Sequence, residues 1–496
     1  MTRALVIGAG PNGLAAAIRL SEAGCEVCVC EAQDAPGGAV RSEALTLPGF
    51  VHDTFSAVYP AGAASPVFAR MPLARHGLEW VHPAICHTSP LPDGRAAALH
   101  RSVEDTAASL NGLSPGDGDA WASFVAPFVD AWEAVRDTML AGFPPLIGPA
   151  RLLRARGPID LLRFSRLLPE SSASLAGRLF DSSGARAWLH GAAMHGDAPP
   201  DAAGSAIAGF YLNLLGHAVG WPSPRGGAGH LTDALAGYLG ALGGTIRTRA
   251  RVTRVLKQGD RVRGVELAGG ERLEADIVIA DVMPLALVRM ADLGGTYGSL
   301  LRRYRYGAST IKVDWALDGP IPWTNEATRR AGTVHLAGTE DELLDAVGTS
   351  HTRLPQRPFL LLGQQSLADP TRAPAGKHTA WAYTHGPPGW RGGWDGHVER
   401  IEAQVERFAP GFRDLILARH VLDGDGLQAR NENLVGGDVG GGSYVLRQVV
   451  FRPVPKLSPY STPVRGLFLG SAATFPGGAV HGVPGDAAAR AALRAQ

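Results

Sequence analysis

Four groups of residues in this chain have types and spacings that do chemistry. The first is Gly8-Ala9-Gly10-Pro11-Asn12-Gly13, which follows the apolar run 3–7 at once and opens a small-residue helical run from Leu14 to Leu20. Strand, glycines and helix in that order bind a dinucleotide pyrophosphate. Gly8 allows the turn, Gly10 lets backbone approach the phosphates, Gly13 lets helix pack on strand, and the helix N-terminus offers N–H groups to the anion. Pro11 suits a first helical position. A second apolar run, 26–30, ends at Glu31 and Ala32. A carboxylate there accepts both hydroxyls of an adenosine ribose and disfavours a 2′-phosphate. The second group is Gly37-Gly38-Ala39-Val40-Arg41-Ser42. The third, near the C-terminus, runs from Gly470 and Ser471 through Gly478, Val480, His481, Gly482 and Val483, with glycines at a helix entrance. The fourth is Lys312 in Ser309-Thr310-Ile311-Lys312-Val313-Asp314-Trp315, on the strand face opposite Ile311 and Val313. It is one of only four lysines, with Lys257, Lys377 and Lys456, among 47 basic residues.

These groups need elements to position them. After the first βαβ unit, the glycine-rich turn from Gly226 leads into an apolar helix, then a β-hairpin through Val252, Val255, Val262 and Val265, then a buried strand, 275–280. The C-terminal run 466–471 is a strand ending in glycine, followed by an alanine-rich helix. The expected fold is α/β: a Rossmann-type dinucleotide domain, discontinuous in sequence (1–75, 225–290 and 431–496), a helical cap and substrate domain at 76–224, and a substrate-domain sheet at 291–430 led by the Lys312 strand. No second strand-GxGxxG-helix unit is evident, which argues against separate domains for two dinucleotides.

Residues 37–42 resemble the GG-x-x-R-S/T extension of the glutathione-reductase-like FAD-binding class, in which the two glycines and the arginine approach the cofactor. That resemblance makes FAD, not NAD, the expected cofactor. Taken with 8–24, 31–43 and 460–489, the chain resembles the phytoene desaturase-like and carotenoid-isomerase-like branch of the flavin amine oxidase superfamily. The Pro11-Asn12-Gly13 turn and the run Asn433 to Asp438 look more like the broad pyridine nucleotide-disulfide oxidoreductase domain 2-like group than a true carotenoid desaturase. The resemblance implies backbone at Val252 against the adenine and the His481 loop against the isoalloxazine. It also implies that the Lys312 strand corresponds to the one carrying a lysine near flavin N5. A lysine there could hold a water and assist reaction with oxygen; the competing account is an ion-paired lysine close to Asp314. His481 could donate to flavin or substrate or act as acid or base; the competing account is a histidine that packs in its own loop. His52, Asp53 and Tyr59 could reach the same pocket, or supply ordinary turn polarity.

The implied activity is FAD-dependent dehydrogenation, desaturation or isomerisation of a hydrophobic, unsaturated, isoprenoid- or polyene-like molecule. Two alternatives stand beside it: an amine or amino-acid oxidase, which Lys312 suits, and a flavin-bound interaction protein with little turnover. The totals agree with a small-molecule enzyme. The 496 residues are 45% hydrophobic and 19% charged, with a net charge of +1 and no run of like charge suited to nucleic acid. Packing accounts for Cys25, Cys28 and Cys30, and no metal is expected. The first residues hold too short an apolar run for a secretory leader, and no stretch is apolar enough to span a bilayer, so a cytoplasmic protein is expected. Arg151, Arg154, Arg156, Arg163 and Arg166 lie among leucines, a composition compatible with peripheral contact at the inner face of the membrane.

Overall fold

A computed structural model describes residues 1–196 and 198–496. Its first layer is a five-stranded parallel sheet in the order Leu467–Leu469, Ile277–Ala280, Arg3–Ile7, Glu26–Cys30, Thr245–Arg247. Three distant parts of the chain therefore share one sheet. Its central strands are short, apolar and covered on both sides, as parallel strands require. One side carries the helices Pro11–Glu22, Gly229–Ala241 and Val483–Arg494, whose alanines and leucines are buried with Val6, Val29 and Ile279. The other side meets a three-stranded antiparallel sheet, Val252–Gln258, Arg261–Leu267 and Arg272–Glu274, through Val255, Val265 and Val278. The expected hairpin thus gains a third strand.

A second sheet of seven strands has the order Ile416–Leu422, Ser309–Leu317, His378–Gly386, Leu360–Gly363, Ala331–Leu336, Ile85–Pro90, Ala96–Leu99. Alternation divides its central strands into two faces. Ile311, Val313, Trp315, Ala380, Ala382, Leu360, Leu362, Val334 and Leu336 form one apolar cluster with Ile401, Val405 and Phe408 of the helix His397–Phe408. Cross-strand register sets Lys312 beside Tyr383, Tyr383 beside Leu361 and Leu361 beside His335, one row on the opposite face. Two of the seven strands come from the stretch assigned to the cap. Ile85–Pro90 pairs in parallel with Ala331–Leu336; its buried His87, Thr88 and Ser89 hide the apolar period that marks a strand.

The cap is otherwise helical. The helical pattern from Ile159 to Phe180 is broken: Pro169 cannot continue a helix, and the Ser171 side chain accepts from the Ser174 N–H to start the next one, Ser172–Leu179. The preceding run Ile147–Leu167 is itself two helices meeting at Gly157, whose φ of 80° and ψ of −179° no helix contains. Among the described residues no helix is long and apolar enough to cross a membrane.

Candidate active site

A single cavity of about 600 Å³ runs from the C-terminal edge of the parallel sheet, across the Lys312 row, to the cap. At the sheet edge its wall is largely backbone. Gly8, Gly10, Pro11, Asn12, Glu31, Ala32, Gly38, Arg41 and Val252 all line it. Glu31 is buried, with Oε2 accepting from the Ala9 N–H and Oε1 from the Gln33 N–H, each at 2.8 Å. Its carboxylate is held in place at the cavity wall. Gly10 and Gly38 face each other so closely that a Cβ on Gly38 would lie 3.0 Å from the Gly10 Cα. Gly13, Gly37, Gly470, Gly482 and Val483 stand behind this wall and brace it. A Cβ on Gly13 would fall 2.0 Å from the Gly8 carbonyl oxygen, and one on Gly470 would fall 2.9 Å from the Ala488 Cβ.

One residue at this end escaped the reading of the sequence. Asp281, buried immediately after the strand Ile277–Ala280, accepts from the Gly13 N–H at 2.9 Å through Oδ2 and lines the cavity. Burial pushes its carboxyl up to about 7, the Gly13 N–H opposes this, and the nearby Glu31 charge adds to it. Its position just beyond the C-terminal end of a parallel strand was the available signal, because ligands gather there in open α/β sheets.

The C-terminal loop closes over the same space with Ser471, Gly478, Val480 and His481. His481 is committed to its own loop. Nε2 lies 3.1 Å from the Gly478 carbonyl, Nδ1 accepts from the Val483 N–H at 3.2 Å, and burial lowers the ring to about 4. This arrangement fixes the Nε2–H tautomer. A neighbouring loop is pinned by Asp438, whose carboxylate accepts from the N–H groups of Gly307, Gly440 and Gly442 at 2.7 to 2.9 Å. A Cβ on Gly478 would meet the Gly440 carbonyl oxygen at 2.1 Å, so at this point the two loops pack too closely for any side chain on Gly478.

The floor carries the charge. Lys312 lines the cavity, is 3% exposed, and donates to Oδ1 of the fully buried Asp314 two residues on, on the same strand face. This lysine is ion-paired, as the competing account has it, and it also lines the cavity. Burial raises the Asp314 carboxyl to about 6, and Lys312 opposes that rise. His52 Nδ1 is 3.9 Å from Asp314; burial and the Lys312 charge lower it to about 3. Asp53 lies away from the cavity, in a buried pair with Arg372, and also accepts from Ser42 Oγ and the Ala228 N–H. Tyr59 lines the cavity, with its hydroxyl donating to the Ser56 carbonyl at 2.6 Å. Beside Lys312, Thr310, Tyr383 and His385 complete the polar floor.

The cap supplies an apolar roof. One face of the helix Ala206–Val219 presents Ile207, Ala208, Tyr211, Leu212 and Leu215, with Met139 and Leu140 from the preceding helical hairpin. The Tyr211 hydroxyl is buried without a partner. His195 also lines the cavity, against Trp221, and its Nε2 lies 3.0 Å from His335 Nε2. Nothing in the sequence marked this pair, since the two residues are 140 positions apart and have no motif around them.

The parallel sheet, its glycine turn and the fixed Glu31 carboxylate at the cavity wall define the FAD-binding domain of a flavin-dependent oxidoreductase. The residues present fit FAD: a glycine cradle that any Cβ would fill, a fixed Glu31 at the second strand end, and a buried Asn12 Oδ1 in the wall that no protein group satisfies. Residues 12–493 match the model of the flavin containing amine oxidoreductase family, and the chain belongs to it. It is 29% identical to pyridine nucleotide-disulfide oxidoreductase domain-containing protein 2 of Rattus norvegicus, over 99% of this chain and 93% of the relative. It is 26% identical to the neurosporene-forming phytoene desaturase of Rhodobacter capsulatus, over 98% and 92% respectively. Among solved structures, an oxidoreductase from Methanosarcina mazei superposes with a TM-score of 0.67 at 19% identity, covering 99% of this chain and all of that one. Cyclohexylamine oxidase from Brevibacterium oxydans superposes with a TM-score of 0.61 at 19% identity, covering 100% and 98%. The chain is an FAD-dependent oxidoreductase of this family.

Proposed function

We propose that the enzyme dehydrogenates an elongated, hydrophobic, unsaturated small molecule. The observation that carries this reading is the composition of the cavity beyond the floor. Ile207, Leu212, Leu215, Leu140 and Leu446 line it, and among the described residues the acidic ones on its wall are already engaged or lie at the glycine end. Glu31 and Asp281 are bound to backbone N–H groups of the glycine turn, and Asp438 accepts from three more. Among the described residues the roof offers a cationic amine no counter-charge, and burying one there carries a large desolvation cost. An apolar chain would gain about 25 cal/mol for each Å² it buries there.

FAD, held by the glycine turn, Glu31 and the loop Gly478–Val483, would supply the two-electron acceptor that dehydrogenation needs. The chain's own residues do the rest. The roof orients the substrate and excludes water, which is the protein's main contribution where a cofactor carries the chemistry. Lys312 puts a fixed positive charge at the floor. His481 holds the Gly478–Val483 loop in shape and is a positioning residue in this reading. The relation to phytoene desaturases supports the substrate class. Lys312, a cationic side chain fixed in the cavity floor, keeps amine oxidation as the second reading.

Anaerobic mixing of the holoenzyme with isoprenoid polyenes and, separately, with primary and secondary amines decides between them. Flavin bleaching by the polyenes and not the amines is expected; the reverse result would overturn the proposal. Substrate entry from a lipid surface belongs to the same reading. Leu146, Ile147, Leu153, Ile159, Leu162 and Leu168 are all exposed on the segment that carries the cap arginines, and Leu168 also lines the cavity. Sedimentation with anionic liposomes, weakened by salt, is the expected behaviour.

A further inference from the structure

The imidazole pair at the cap end of the cavity is built more carefully than a packing contact requires. His195 lies at the cavity wall, with its ring edge-on to Trp221 at 5.4 Å and an interplanar angle of 89°. Its Nε2 is 3.0 Å from Nε2 of His335, so one of these nitrogens carries the hydrogen and the other accepts it. The far nitrogen of His335 decides which. His335 Nδ1 is buried without a partner and sealed against the helix Ser183–Ala193, where a Cβ on Gly191 would come within 3.0 Å of it. A buried N–H with no acceptor is rarer and costlier than an unpaired lone pair. His335 is therefore bare at Nδ1 and donates from Nε2, and His195 accepts at Nε2 and carries its hydrogen on Nδ1. Among the described residues that Nδ1 has no protein partner.

Further groups hold this arrangement. The His87 ring lies over His335 at 4.3 Å, and its own Nε2 is 2.9 Å from Asn213 Oδ1. Burial and the neighbouring rings keep His195 down at about 3 and His335 well below its ordinary value, so both are neutral near pH 7. Register sets how far the pair lies from Lys312. His335, Leu361, Tyr383 and Lys312 form one row across four adjacent strands, which places the His335 strand about 14 Å from the Lys312 strand at about 4.8 Å per step.

We propose that His195 is a specificity-determining contact whose Nδ1–H donates to an oxygen atom on an otherwise apolar substrate, roughly 14 Å along the floor from Lys312. The substrate class is then an elongated unsaturated molecule with a carbonyl or hydroxyl oxygen at one end, not a pure hydrocarbon. This deepens the reading of the cavity as an apolar substrate site and rests on it.

The test uses holoenzyme and two matched probes, farnesal and farnesene, which share an isoprenoid chain and differ in the terminal oxygen. Dissociation constants are measured by tryptophan quenching and by perturbation of the flavin spectrum. Farnesal is expected to bind about 5- to 10-fold more tightly than farnesene, a ratio that one hydrogen bond from a desolvated site supports. In His195→Leu the ratio should fall to about one, and in His195→Gln, which keeps a donor, it should stay above about three. Equal binding of both probes to the wild type would overturn the role of His195 and leave the apolar site standing. Binding of neither would overturn both. Ring ¹⁵N spectra of histidine-labelled wild-type protein give a second readout besides affinity. An Nδ1–H tautomer that shifts on adding farnesal is expected for His195, assigned by its loss in His195→Gln, and an Nε2–H tautomer would overturn the proposal.

Discussion

The two ends of the cavity are constructed on opposite principles. At the glycine end the ligand-facing surface is backbone, and the residues that matter are those with no side chain, packed until nothing larger fits. At the sheet and cap end the surface is side chains brought together from two strands of the seven-stranded sheet and from the helices of the cap, and several polar atoms there are left over. The first kind of site is sensitive to added volume; the second is sensitive to lost partners. They also answer acid in opposite directions, because the buried carboxyl at the glycine end is held above its ordinary range and the imidazoles at the other end are held below theirs.

Gly13→Ala should break the first end outright. Its Cβ would sit 2.0 Å from a backbone oxygen that cannot swing away. We expect a loss of more than about 4 kcal/mol and protein purified without flavin, read from the urea midpoint and the FAD content per chain. Normal FAD content would mean that the turn is looser than its packing implies. Lys312→Met tests the other end by removing one partner of a buried pair. It should cost about 3 kcal/mol at pH 8, where the Asp314 carboxylate is left uncompensated. The deficit should shrink at pH 5, where Asp314 takes up a proton. A deficit that does not change with pH would show that the pair is not buried as described.

The acid response sharpens the contrast. Asp281 has a folded value of about 7 against an ordinary value of 3.8, so the folded state holds its proton more tightly. Stability contributed by this group is present below about pH 4 and is lost as pH rises through 7. Asp281→Asn, which keeps an acceptor for the Gly13 N–H, should therefore raise stability at pH 8 by about 2 kcal/mol and leave pH 4 nearly unchanged. His195 runs the other way: its stabilising contribution is present above pH 6.5 and is lost as pH falls below it. His195→Gln should be less destabilised by acid than the wild type, by about 1 to 2 kcal/mol at pH 5, measured by urea unfolding across the range. The smallest effect is expected at the roof. The Tyr211 hydroxyl satisfies nothing, so Tyr211→Phe should change the unfolding free energy by less than about 0.5 kcal/mol. A marked fall in turnover in that variant would identify Tyr211 as a substrate contact.

Legibility in the sequence followed the same division. Gly8, Gly10, Asn12, Glu31, Gly38 and Arg41 were legible as one cluster, and they line the cavity together, because their constraints are local: strand, turn and helix within about thirty residues force the glycines together. Lys312 was visible by its rarity and its strand face. The strand Ile85–Pro90 was missed because a strand buried on both sides with three polar residues has no apolar period to read. The Ile159 to Phe180 pattern was read through Pro169, which ends the helix there. His481 was legible in position and not in role, since only the fold shows both ring nitrogens spent on Gly478 and Val483.

The sequence by itself determined the cofactor-binding end of this protein, because a glycine turn between a strand and a helix leaves the backbone few other conformations and leaves a dinucleotide its natural place. Only the tertiary structure decided what faces the substrate. Lys312, Tyr383 and His335 share a row through strand register, and His195 reaches that row from the cap. Pairing between strands far apart in the chain depends on the whole hydrophobic core and leaves no local trace in the residues it brings together.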